Sequence, residues 1–169
     1  MVINDSKDYM SEALLQLMKD KDLNQITSMD IAKRAGVSRA TWFRHFKSKR
    51  EAVVYGLVRL WDRWAEEHAL ENSHKIVAEN AESFVEYIYS IRHLREHLLR
   101  NDLHSAILDS FVQVLLDNNQ FSDNHQFIRS TFVTYGITGI VDAWSDSAYT
   151  IPQKEIAQSL KILIRDNLD

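Results

Sequence analysis

Residues 26–51 read ITSMDIAKRAGVSRATWFRHFKSKRE, and the order of small, polar and basic residues in this stretch decides the fold. Thr27-Ser28-Met29-Asp30 has the form of a capping box, with Asp in the place usually held by Glu or Gln. It opens a short helix that turns Ile31, Ala32 and Ala35 inward. Gly36 follows where a left-handed residue ends a helix without steric cost. Ser38 then caps a second short helix, Arg39 to Phe46. Ala32 is small enough to let the two helices approach closely, Val37 tucks between them, and Phe46 is a core residue. Ser48-Lys49-Arg50-Glu51 is a second capping box and opens a long helix. Two short helices joined by a glycine turn, the second one basic and aromatic, read as a helix-turn-helix. The second helix of such a unit can lie in a DNA major groove with its N-terminal residues at base edges.

The whole chain of 169 residues carries 20 Lys+Arg against 24 Asp+Glu, a net −4 that at face value argues against a polyanionic partner. The average hides opposites. Residues 1–50 hold 10 basic and 6 acidic side chains, whereas residues 51–169 hold 10 and 18. Within 27–50, Lys33, Arg34, Arg39, Arg44, Lys47, Lys49 and Arg50 face a single acid, Asp30. That asymmetry suits a polyanion-binding end joined to a different kind of body.

Working outward, helical periodicity continues to both ends. Met10, Ala13, Leu14 and Leu17 share a face of a first helix, with Asp5 or Ser6 as its cap. The long helix carries a stripe of Val53, Leu57, Leu60, Trp64 and His68. A helix from Ile76 to about Leu99 lines up Phe84, Ile88 and Ile91, with a break near His93. Leu103 to Leu116 carries Ile107 and Phe111, with Asp102 as a cap. Asp123 caps a helix through Trp144 that sets Ile128, Phe132, Tyr135, Gly139 and Ala143 in line. Pro152 suits the first turn of a last helix, along which Ile156, Leu160, Ile164 and Leu168 repeat.

Composition removes other classes. The chain has no Cys, which excludes a disulfide framework, a thiolate zinc site and a cysteine nucleophile. Four Gly and one Pro are too few for a turn-rich β fold. Apolar runs stay far below the roughly 18–20 residues of a membrane span, and MVINDSKDYM lacks the apolar stretch of a secretory signal. The expectation is a soluble, cytoplasmic, all-α protein with no membrane association. It has an N-terminal three-helix helix-turn-helix DNA-binding domain over residues 1–50 and a helical effector-binding and dimerisation domain over 51–169.

The stretch 26–51, and more broadly residues 8–60, resembles the DNA-binding segment of the TetR family of bacterial transcription regulators. The tail FVTYGITGIVDAWSDSAYTIPQKEIAQSL, residues 132–160, resembles the last two helices of a TetR subgroup through its Tyr-Gly pair, second small residue, Trp and Pro-led helix. The resemblance implies a homodimeric repressor that binds a palindromic operator and is released by a small-molecule effector. The alternative is a DNA-binding adaptor or activator controlled by a protein co-regulator. It also implies roles for residues in contact with double-stranded DNA. Thr27 holds phosphate through its N–H and hydroxyl, and Ser38 and Thr41 reach phosphate or, for Thr41, base edges. Arg39 makes a bidentate guanine contact, Arg44 and His45 face backbone or groove, and Lys47 and Lys49 meet phosphate. One departure stands out: the family usually has a phosphate-binding Tyr where Phe43 stands. Trp42 before it has two open placements, buried in the small core or turned out to touch DNA through its indole N–H.

A single head makes few contacts, and two copies reach half-sites about 34–36 Å apart, so a homodimer is expected. Gly136 and Gly139 allow a close helix approach. With Ile140, Trp144, Ile156, Leu160 and Leu163 they form the candidate half of an intermolecular four-helix bundle. The resemblance further implies an effector pocket among the middle helices, with Trp61, Trp64, Phe84, Tyr87, Ile88, His97, Phe111 and Tyr135 as candidate lining. His93-Leu94-Arg95-Glu96-His97 fits the loose H-x-x-E-H pattern. A third ligand is not supplied, because His104 lies about 10.5 Å further along a continuous helix. No P-loop, GxGxxG or assignable Ser-His-Asp set occurs, so no catalytic residue, metal or cofactor is expected.

Overall fold

The computed structural model describes residues 5–70, 76–115 and 123–168. Among them nine α-helices follow one another and no strand occurs. They are α1 (Asp5–Leu17), α2 (Ser28–Arg34), α3 (Arg39–His45), α4 (Lys49–Glu67), α5 (Ala81–Ser90), α6 (Arg92–Arg100), α7 (His104–Leu115), α8 (Asn124–Asp146) and α9 (Gln153–Leu168). The fold is all-α. Contacts divide the chain into two units. The first runs through Leu60 and takes in Leu94–Ile107; the second comprises Trp61–His93 and the chain from Leu108 onward.

The core of the first unit is built by Met10 and Leu14 of α1 with Met18 directly after it, Ile26, Ile31 and Ala32 around α2, Trp42 and Phe46 around α3, and Val53 and Leu57 of α4. Met18 rather than Leu17 completes the inner face of α1. The boundary expected after residue 50 falls inside this unit, for two physical reasons. Gly56 brings α4 against α1, since a Cβ there would lie 2.9 Å from Leu15 Cδ1 and 3.4 Å from Ser11 Cβ. Residues 94–107 join through polar bonds. Asn101 Oδ1 accepts the Leu23 N–H at 2.9 Å, and Ser105 Oγ accepts from Arg50 Nε at 3.3 Å.

In the second unit α9 packs on both α5 and α8. Phe84, Val85 and Ile88 of α5, Ile137, Val141 and Trp144 of α8, and Ile156, Leu160 and Ile164 of α9 are buried there. Lys161 Nζ lies 2.6 Å from Glu82 Oε1 and clasps α9 to α5. Trp144 Nε1 donates to the Ile151 carbonyl at 2.8 Å, which fixes the turn between α8 and α9. Ala148 and Tyr149 take left-handed φ values of 53° and 58° in that turn.

Local signals held where they depend on neighbours in sequence. Asp123 Oδ1 accepts the Gln126 N–H at 2.8 Å and caps α8 as expected. The long middle helix does break, at Ile91 between α5 and α6. Three details differ. Asp102 is no cap: it sits at φ 57° in a turn and α7 begins at His104. The box at Ser48 is half formed. Ser48 Oγ accepts the Glu51 N–H, but the Glu51 carboxylate takes the Lys47 N–H at 2.8 Å. The stripe of α4 turns after Leu60 onto Trp61 and Ala65, leaving His68 exposed.

Candidate nucleic-acid interface

The unit α2–turn–α3 is assembled by its own polar groups. Thr27 Oγ1 accepts the Asp30 N–H at 3.1 Å while Asp30 Oδ2 accepts the Thr27 N–H at 2.9 Å. The Thr27 N–H and then its hydroxyl hold the Asp30 carboxyl below the usual carboxylate range. Gly36 takes φ 68°, and the Val37 N–H reaches back to the Ala32 carbonyl at 2.9 Å, so α2 stops abruptly. Ser38 then caps α3, accepting the Thr41 N–H at 3.1 Å, and its hydroxyl shares a hydrogen with Thr41 Oγ1 at 2.8 Å.

The solvent side of α3 carries Arg39, Ala40, Phe43 and Arg44, and Lys47 follows it, all exposed; His45 is half-buried. Arg39 is held on both sides. Its Nε donates to Ser28 Oγ at 3.2 Å, and its guanidinium carbon lies 5.2 Å from the centre of the Phe43 ring. Other basic residues of the stretch have partners inside the unit. Arg34 Nε donates to Gln16 Oε1 at 3.0 Å. Lys49 Nζ donates to the carbonyls of Leu23 and Ile26. Lys49 was expected at phosphate; its ammonium is instead spent on tying the α1–α2 connection to α4.

Trp42 resolves its two placements by burial. It is 3% exposed and its ring lies 5.2 Å from Phe46, so it builds the core and is removed from the candidate DNA contacts. Thr27 is narrowed too: its hydroxyl donates to Asp30 Oδ2 at 2.7 Å, which takes away the hydrogen a phosphate would accept.

The family model described as bacterial regulatory proteins, tetR family, matches residues 12–53, and one described as a transcriptional regulator C-terminal region matches residues 67–166, more than half of the chain. The chain belongs to the TetR family. A solved TetR transcriptional regulator from Rhodococcus sp. RHA1 has the same fold, with a TM-score of 0.66 over 98% of each chain at 20% identity. No curated protein matches the chain. Family membership makes this a transcription regulator with a helix-turn-helix head.

In the body of this TetR chain, the structure gathers some of the expected pocket residues and disperses others. Trp61 stands 5.6 Å from Phe84 and 5.3 Å from Tyr87; Trp64 is 5.9 Å from Tyr87 and Phe111 5.8 Å from Phe84. Ile88 is buried in the same unit. Burial, helped by the charge of Asp62, pushes the Tyr87 hydroxyl upward. Trp61 Nε1 is buried without a hydrogen-bond partner. Two residues leave this set. His97 belongs to the first unit, where Asn101 Nδ2 lies 3.2 Å from its Nε2. Tyr135 lies on the exposed side of α8.

The expected dimer residues also divide. Trp144, Ile156 and Leu160 are buried within their own chain, because the stripe of α9 is already covered by α5 and α8. Gly136 has its own partner: a Cβ there would lie 2.8 Å from Leu163 Cδ2 of the same chain. Gly139 differs, with no atom within 4 Å of an added Cβ, and Ile140 is half-buried. The side of α8 that remains open carries Phe127, Ile128, Phe132 and Tyr135, each at least half exposed. Among the described residues no three metal-binding side chains gather, and no helix is long and apolar enough to cross a membrane.

Proposed function

We propose that this TetR regulator is a homodimeric repressor. The α3 helices of two copies enter successive major grooves of a palindromic operator, and a small-molecule effector bound in the body releases them. The observation that carries the DNA reading is the exposed ridge of α3, where a pre-positioned Arg39 stands beside Arg44 and Lys47. Arg39 reads a guanine edge; Arg44, His45 and Lys47, with Ser38 and Thr41 at the N-terminus of α3, hold phosphate. The domain before residue 60 is then the reader, and the body the sensor.

Dimerisation is supported by the open apolar side of α8, because large exposed apolar patches mark association surfaces. The effector reading is supported by Trp61. Its unpartnered indole N–H among aromatic rings would be satisfied by an apolar ligand bearing one acceptor. The site of action is the cytoplasm, beside the DNA it regulates.

The test is enrichment from a random duplex library, followed by footprinting and sedimentation. The expected outcome is an enriched palindrome, two protected half-sites about one helical turn apart, and a dimer at micromolar concentration. A monomer that enriches no sequence would overturn the reading. Release of DNA by a protein from the same cells, with no small molecule effective, would replace the effector by a protein co-regulator.

A further inference from the structure

Phe43 is 57% exposed on the outer side of α3. A phenyl group offers neither donor nor acceptor, so it cannot hold phosphate as a hydroxyl does. Its surroundings give it another task. Arg39, one helical turn earlier, lays its guanidinium 5.2 Å from the ring centre. The Arg39 Nε is held by Ser28 Oγ, which leaves the two terminal nitrogens as the forward edge of the fork. Ser28 is available for this because the cap of α2 is formed by Thr27.

From this geometry we infer that Phe43 is a specificity residue, reading the methyl group of a thymine beside the guanine that Arg39 reads. The inference rests on the proposed entry of α3 into the major groove. There the only apolar group a base pair displays is the thymine C5-methyl. The separation of guanidinium and ring spans between one and two base steps of about 3.4 Å, so the two bases are neighbours or next-neighbours. Ser28 is a positioning residue: it touches no base and sets the plane of the Arg39 fork through Nε. The three side chains form one reader whose apolar and polar halves address adjacent bases.

The experiment uses the full chain and duplexes enriched by it from a random library. Each thymine within about two base steps of the guanine whose replacement by 7-deazaguanine or adenine hurts binding most is changed to deoxyuridine, which deletes only the methyl group. At one of these positions the unmodified protein is expected to lose about fourfold in affinity, the worth of one buried methyl. Phe43→Ala is expected to bind the thymine and deoxyuridine duplexes equally, to protect the same site and to keep the same salt slope. Ser28→Ala is expected to narrow the preference for guanine over adenine at the Arg39 position, and Ser28→Thr to restore it. Deoxyuridine duplexes that bind as well as thymine ones, or an equal loss in Phe43→Ala, would overturn the role of Phe43. An unmodified protein that enriches no sequence would instead overturn the DNA reading beneath it.

Discussion

Trp42 and Phe43 are adjacent aromatic residues on one short helix, and a rotation of about 100° between them sends one to the core and the other to solvent. Their substitutions should separate cleanly. Trp42→Ala is expected to cost about 3–5 kcal/mol in urea denaturation, whereas Phe43→Ala should stay within about 0.5 kcal/mol. The cap at Thr27 was legible because its partner stands three residues away. The fate of Trp42 was not, because it depends on Phe46 and on helices that the local pattern does not locate. The Asp30 carboxyl is depressed by the Thr27 N–H, so its contribution to stability is present above the ordinary carboxylate value and lost as pH falls through its lowered value. A melting series through the acid range should show this loss in the native chain and not in Asp30→Asn. Lys49 and Lys47 form a second pair. Lys49→Met is expected to lower stability by about 1.5–3 kcal/mol, for lost charged hydrogen bonds, while leaving the salt slope of DNA binding unchanged. Lys47→Ala should reduce that slope by about 1 and leave the melting temperature alone. No local rule assigns Lys49 its partners, since they lie 26 and 23 residues earlier in the chain.

At the scale of elements, α8 is apolar on two sides. Val133, Ile137, Val141 and Trp144 face its own unit, and Ile128, Phe132 and Tyr135 face outward. A helix of that kind needs two partners. Periodicity picked out the outward line from the sequence but could not say that the neighbours in the same chain would cover the other side. The stripe of α9 misled in the complementary way: it is a buried face, as its spacing says, but α5 and α8 already occupy it. Gly136 and Gly139 show the same limit, one filled by Leu163 and one open. Gly139→Leu is therefore expected to leave the melting temperature of a dilute sample unchanged or raised, since glycine is the poorer helix former by about 1 kcal/mol. The same substitution should weaken self-association at least roughly tenfold by sedimentation, because about 1.4 kcal/mol of lost packing suffices for that. Unaltered association would move the dimer surface off this side of α8.

Across the whole molecule, composition understated the head and overstated uniformity. The net −4 averages a basic stretch and an acidic body, and only position along the chain separates them. The caps at Thr27, Ser38 and Asp123, the glycine turn and the basic ridge of α3 were readable because each rests on short-range chemistry. The extent of the first unit was not, because it is set by contacts such as that of Gly56 with Leu15. The bond from the Leu23 N–H to Asn101 spans 78 residues, and this has a consequence for biosynthesis. The head leaves the ribosome first, yet one of its amides finds its partner only after residue 101 has been made. A nascent chain halted before that point carries an open donor at the connection between α1 and α2. Amide exchange at Leu23 would follow completion of the fold as a clock, fast in stalled chains and slow once Asn101 has emerged.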